Sequence, residues 1–113
     1  MEIDFENSRL KHTIEDEKAC RRKWGHQVTE KLKLRMADLE AVDNLEGMRS
    51  LLGSCEELKG RGRGIFSVTL AGGDRLAFTP MGDSKSYTKA DKSIDWEKVV
   101  AIKIIGVGDY HKY

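Results

Sequence analysis

The residues best suited to chemistry in this chain begin with a basic run in which cations alternate with glycines. The run is Lys59-Gly60-Arg61-Gly62-Arg63-Gly64. Lysine and arginine supply the cations that phosphate groups bind, and glycine lets a ligand approach the main chain closely. The run therefore indicates an anionic partner, with a phosphodiester backbone as the first candidate. A solvated basic turn without a site is the alternative that these residues leave open.

Arg75, Tyr110 and His111 are further candidates for the same chemistry. Histidine titrates near neutral pH and tyrosine carries a hydroxyl, so either side chain could transfer a proton. Cleavage of RNA by its own 2′-hydroxyl needs removal of the 2′ proton, cations for the phosphorane-like transition state and a proton for the 5′ oxygen. A histidine, a tyrosine and several cations meet these needs without a metal ion.

Other catalytic motifs are absent from the sequence. The glycines of the basic run form neither a Walker loop nor a dinucleotide-binding fingerprint. Cys20 and Cys55 lack the spacing of metal ligands, which predicts reduced structural thiols with no disulfide and no bound metal. We expect no cofactor.

The composition is that of a soluble globular protein, with 39% hydrophobic and 35% charged residues among 113. This length predicts a single domain, residues 1–113. The sequence has neither a long apolar run nor a signal peptide, so we expect a cytoplasmic protein with no membrane partner. The net charge of +1 is too small to indicate a nucleic-acid-binding protein by itself, although the cationic surplus lies in the second half.

Hydrophobic periodicity predicts the elements that would position these residues. Ile3 and Phe5 alternate with acidic residues, as in a short half-buried strand. A first helix is expected from Asn7 or Ser8 to Trp24. A second, of about sixteen residues, has apolar positions on one face, at Val28, Leu32, Met36 and Leu39.

The second half of the chain has the pattern of strands. Residues 65–70 and 75–79 are expected to form a hairpin around Gly72-Gly73, with positive φ angles at both glycines. Residues 80–95 are polar and predict a mobile loop outside the core, and the β-branched run at 96–107 predicts a buried central strand with Trp96 in the core. Helices before strands predict an α+β fold, with two N-terminal helices packed on a small antiparallel sheet.

Taken together, these segments resemble the HigB-like, or plasmid-maintenance killer, toxins of the RelE/ParE superfamily. The resemblance covers nearly the whole chain. It rests on Met1-Glu2-Ile3-Asp4-Phe5, the Leu32 to Leu45 helix, Glu57-Leu58-Lys59-Gly60, Gly64-Ile65-Phe66-Ser67-Val68, Arg75-Leu76-Ala77-Phe78, Ile94-Asp95-Trp96-Glu97-Lys98-Val99 and Asp109-Tyr110-His111.

The resemblance implies a RelE-like fold, with two helices on a small twisted sheet, and the toxin of a type II toxin-antitoxin system. It implies a ribosome-dependent endoribonuclease that cuts translated mRNA, and partners comprising the ribosome, its mRNA and a helix-turn-helix antitoxin. The resemblance also implies that His111 transfers a proton, that Tyr110 assists it, and that Lys59 and Arg75 stabilise phosphate charge. Arg61 and Arg63 would bind the RNA backbone.

The chain also departs from the family pattern. Arg61 stands where members commonly have an acidic residue, Asp74 where they have an aromatic one, and Ala71 where they have a basic one. A carboxylate at Asp74 is expected to pair with Arg75. Two alternatives therefore stay open: a non-enzymatic inhibitor of a protein such as gyrase, as in the ParE branch, and an inactive homologue that acts as co-repressor with its antitoxin.

Overall fold

The computed structural model describes residues 1–58 and 64–109 of the chain. The candidates Lys59, Arg61, Arg63, Tyr110 and His111 lie outside these described residues. Arg75 lies within them.

The described residues form an α+β fold around a mixed sheet of five strands. These are β1 (Glu2–Phe5), β2 (Glu56–Glu57), β3 (Phe66–Thr69), β4 (Arg75–Pro80) and β5 (Ala101–Gly108). Their order across the sheet is β1-β5-β4-β3-β2. The prediction of a purely antiparallel sheet is wrong, because β1 runs parallel to β5, with Ile3 opposite Ile102. The other pairs are antiparallel.

The predicted β3–β4 hairpin is confirmed, with Thr69 opposite Arg75 at its closed end. The expectation of positive φ at both glycines holds only at Gly72, where φ is +64°. The strand predicted at 96–107 is confirmed only from Ala101, as β5, because Trp96–Lys98 form a short 3-10 helix. As predicted, β5 lies inside the sheet, between β1 and β4.

Three α-helices precede the second strand, α1 (Ser8–Glu15), α2 (Glu17–Trp24) and α3 (His26–Ala41), and a 3-10 helix at Leu45–Ser50 follows them. The single first helix that we predicted is therefore wrong. Asp16 divides it, because its backbone is extended and its side chain accepts a hydrogen bond from the Lys18 amide at 3.1 Å, which caps α2. The second predicted helix is confirmed as α3. Among the described residues, no helix has the length and apolar character needed to cross a membrane.

One hydrophobic cluster joins the helices to the sheet. Phe66, Phe78 and Trp96 lie at its centre, with ring centroids 6.0 Å apart for the two phenylalanines and 5.0 Å apart for Phe66 and Trp96. Leu32 and Leu39 of α3 belong to the same cluster. The core position of Trp96 is thus confirmed, and α3 packs with the apolar face that it was predicted to have.

The polar segment at residues 80–95 contacts the core more than its composition predicts. Tyr87 and Ile94 are half-buried against the hydrophobic cluster. The Asp95 amide donates to the Tyr87 carbonyl at 2.7 Å, and Thr88 pairs with Ile94 in a single bridge. The prediction of a loop outside the core is therefore wrong at these two apolar positions, which lie among polar residues and show no periodicity.

Gly47 lies at a position where the Cβ of an alanine would be too close to the Val42 side chain. A Cβ at this position would lie 2.9 Å from both Cβ and Cγ1 of Val42. We expect Gly47→Ala to lower the free energy of unfolding by about 1–3 kcal/mol in urea denaturation, because a β-branched side chain cannot easily move aside. Gly73→Ala is the control, since no described atom lies within 4 Å of that Cβ position. An equal loss at Gly73 would contradict this explanation.

Candidate nucleic-acid interface

Arg75 lies on the face of the sheet opposite to the hydrophobic core. Phe66 and Val68 point into the core, so Ser67 between them points to the other face. The register puts Ser67 opposite Ala77 and Thr69 opposite Arg75. Arg75 is therefore on the same face as Ser67. It lies two positions along β4 from Ala77, which is the residue opposite this serine.

Hydrogen bonds fix the guanidinium group of Arg75. Its Nε donates to Ser67 Oγ at 2.6 Å, and its Nη2 donates to the Ser54 carbonyl at 3.0 Å and to the Ser67 carbonyl at 3.4 Å. The side chain is only 8% exposed. The planar group is thus held in one orientation by acceptors from two segments, which is the preorganisation that a phosphate-binding arginine needs.

A carboxylate already pairs with this arginine. Glu56 Oε1 of β2 lies 3.5 Å from Arg75 Nη2, and the Glu56 side chain is largely exposed. Within the described residues the ion pair of Arg75 is thus with Glu56, whereas the sequence led us to expect Asp74. Glu56 would therefore compete with an anionic ligand for Nη2 of Arg75.

The described residues that flank the two remaining candidate segments lie at opposite ends of this face. Gly108 is the β5 partner of Arg75, and Asp109 follows it immediately before position 110. At the other end Glu57 pairs with Phe66 and accepts a hydrogen bond from the Gly64 amide at 3.0 Å. The Arg75–Gly108 pair and the Glu57–Phe66 pair lie three residues apart along the strands, roughly 10 Å. The Arg75 side chain extends from its own pair toward Ser67, so its guanidinium lies between the two pairs.

Cys55 lies beside this arginine and is not a nucleophile at neutral pH. Burial raises the pKa of its thiol from 9.0 to about 12, against the opposing effect of the Arg49 and Arg75 charges. A thiol with such a pKa stays protonated and unreactive in the physiological range. Cys20 and Cys55 are both free thiols.

The raised pKa of Cys55 has a consequence for stability at alkaline pH. Between pH 9.0 and about 12 the unfolded chain loses a proton that the folded chain keeps, so the free energy of unfolding falls as the pH rises. Relative to Cys55→Ala, we expect the parent protein to lose about 1 kcal/mol between pH 9 and pH 10 in urea denaturation. A difference between the two proteins that does not change with pH would contradict this expectation.

Sequence reasoning did not find the residues that position Arg75. Ser67 is a fully buried polar residue between two core residues, and that interruption of an apolar strand was a usable signal. The Ser54 carbonyl had no signal, because a main-chain acceptor can be recognised only once the fold is known. Among the described residues, no group of three histidine, cysteine or acidic side chains is placed to hold a metal ion.

No model of a protein family matches the chain, and no curated protein matches it either. The toxin resemblance read from the sequence therefore stays a prediction.

Proposed function

We propose that this chain is the toxin of a type II toxin-antitoxin system and that it cleaves translated mRNA on the ribosome. The observation that supports the proposal most is the Arg75 guanidinium, oriented by Ser67 and Ser54 on the sheet face away from the core. An arginine fixed in this way stabilises the charge that develops on a phosphodiester during cleavage. Gly108, two residues before Tyr110, pairs with Arg75, and Glu57, two residues before Lys59, pairs with Phe66 at the other end of this face.

In the proposed reaction the 2′-hydroxyl of the RNA loses its proton and attacks the adjacent phosphorus. The 5′ oxygen then departs and takes up a proton. His111 transfers a proton in this exchange and Tyr110 assists it. Lys59 and Arg75 stabilise the phosphorane-like charge, and Arg61 and Arg63 bind the flanking backbone. A helix-turn-helix antitoxin would be the partner that inhibits the enzyme in the cytoplasm.

Single-turnover cleavage of mRNA in programmed ribosomes tests this function. We expect His111→Ala to lower the rate by about a hundredfold, the usual contribution of a general acid or base. His12→Ala is the matched control, because His12 is an exposed histidine on α1. Equal rates for the parent protein and His111→Ala would exclude the proposed role, and intact mRNA with the parent protein would exclude the function.

One observation favours a second candidate, a non-enzymatic inhibitor that binds a protein such as gyrase. Arg75 is almost buried and already paired with Glu56, so it offers little charge to a substrate in this state. The second candidate predicts arrest of replication while ribosomal mRNA stays intact. It also predicts that His111→Ala keeps full toxicity.

The Glu56–Arg75 pair yields a prediction about RNA binding by Arg75, which the first candidate function requires and the second does not. Glu56→Gln removes the competing carboxylate, so we expect single-stranded RNA to bind up to about fivefold more tightly, since such a pair contributes up to about 1 kcal/mol. Fluorescence anisotropy with a labelled oligonucleotide measures the affinity. Glu40→Gln on α3 changes the net charge equally and serves as the control. Equal tightening in both variants would contradict a specific role for Glu56.

A further inference from the structure

The guanidinium of Arg49 lies over the ring of the core tryptophan, Trp96. Its guanidinium carbon is 3.6 Å from the centroid of the Trp96 ring. The indole is itself fixed, because it is buried and meets Phe66 edge to face at 82°. A cation at this distance over an indole is held by the ring electrons and by dispersion.

The Arg49 side chain nevertheless remains accessible to a ligand. Its Nε donates to Glu46 Oε2 at 2.7 Å, which fixes the plane of the group, and its side chain is 53% exposed. Although the guanidinium lies over Trp96, about half of the Arg49 side chain thus stays exposed to solvent. The cation is oriented by Glu46 and lies over an aromatic ring, and its side chain can still be reached by a ligand.

Arg49 is also close to the residues that surround Arg75. Cys55 follows Ser54, whose carbonyl accepts a hydrogen bond from Arg75, and precedes Glu56. The charges of both arginines act on the Cys55 thiol and lower its pKa against the effect of burial. Cys55 therefore lies within electrostatic range of both guanidinium groups.

We propose that the Arg49–Trp96 stack is a nucleobase-binding platform, on which an unpaired base of single-stranded RNA lies against the outer side of the Arg49 guanidinium. Unpaired bases stack on arginine planes as well as on aromatic rings. This inference rests on the proposed function in taking RNA as the ligand, but it concerns binding and not cleavage. It assigns Arg49 to the recognition of a base and Arg75 to a phosphate.

Tryptophan fluorescence can report on this platform directly. The chain has two tryptophans, so Trp24→Phe leaves Trp96 as the single emitter. The probes are a short single-stranded oligoribonucleotide and an abasic ribose-phosphate oligomer of equal length. We expect the first to quench Trp96, and Arg49→Ala to weaken its binding by about tenfold while binding of the abasic oligomer hardly changes.

Two further variants separate stacking from charge and from folding. Arg49→Lys keeps the charge and loses the plane, so we expect it to behave like Arg49→Ala with the base-containing probe. Arg21→Ala is the matched control, because Arg21 is 46% exposed and pairs with Glu17 on its own helix, as Arg49 pairs with Glu46. Its affinity should equal that of the parent protein.

Several outcomes would overturn the inference. These are absence of Trp96 quenching, equal weakening with both probes, and full affinity in Arg49→Lys. The ribosomal cleavage assay fails or succeeds independently of these results. Base-dependent binding without cleavage would leave the platform standing and refute the endoribonuclease, whereas cleavage with equal weakening for both probes would do the reverse.

Discussion

Replacement of Arg75 by lysine should lower the single-turnover rate of mRNA cleavage by about a hundredfold, the usual cost of losing one preorganised donor at a developing charge. Lysine keeps the positive charge but cannot reproduce the geometry of the guanidinium. In the structure Nε and Nη2 donate at the same time to Ser67 Oγ and the Ser54 carbonyl. A flexible ammonium group has no plane that fixes its direction toward a phosphate.

Stability has to be measured beside activity for this position. Arg75→Ala would leave the Ser67 hydroxyl and the Ser54 carbonyl without their donor, at a cost of about 1–3 kcal/mol each where they stay buried. Urea denaturation therefore accompanies each assay, and the rates of the variants are compared at equal concentrations of folded protein. Arg22→Lys on α2 is the control substitution. If folded Arg75→Lys cleaves at the parent rate, Arg75 has no catalytic role and the proposed function loses its main support.

Phe66→Ala should produce the largest loss of stability, about 3–5 kcal/mol in the free energy of unfolding. Phe66 is fully buried and contacts both Phe78 and Trp96, so its removal leaves a cavity between β3, β4 and the Trp96 segment. Urea denaturation followed by circular dichroism measures the change. Leu52→Ala is the control, because Leu52 is the most exposed of the large apolar residues in the described part of the chain.

A more conservative variant keeps this test informative if Phe66→Ala does not fold. Phe66→Leu retains most of the apolar volume, so it should fold and lose less stability than Phe66→Ala. A loss below about 1 kcal/mol for Phe66→Ala would show that the ring cluster does not hold the sheet against the helices.

Local patterns predicted the parts of the fold that local interactions determine. The apolar face of α3 and the β3–β4 hairpin both follow from the spacing of residues within one segment. The division at Asp16 was missed because the helical pattern continues across it. Its signal was present, since an aspartate side chain competes for the nearby backbone amide, here that of Lys18.

Long-range pairing could not be predicted from such patterns. Nothing in the segment around Ile3 specifies that it pairs with Ile102, or in which direction. The same limit applies to the site. Arg75 was identified as a phosphate-binding candidate from its charge, and the family resemblance agreed, but its contact with Ser54 depends on how β2, β3 and β4 are arranged. Glu56 was missed as its partner for the same reason.

The pairing of β1 with β5 also determines when the chain can fold during its synthesis. The partner of β1 lies about a hundred residues later in the chain, so β1 leaves the ribosome long before β5 exists. Until residues 101–108 emerge, β4 lacks one neighbouring strand and its apolar residues Leu76 and Phe78 lack the cover of Ile104. The nascent chain should therefore complete this sheet only once β5 has left the ribosome, and chains that stop before β5 should be substrates for chaperones and proteases.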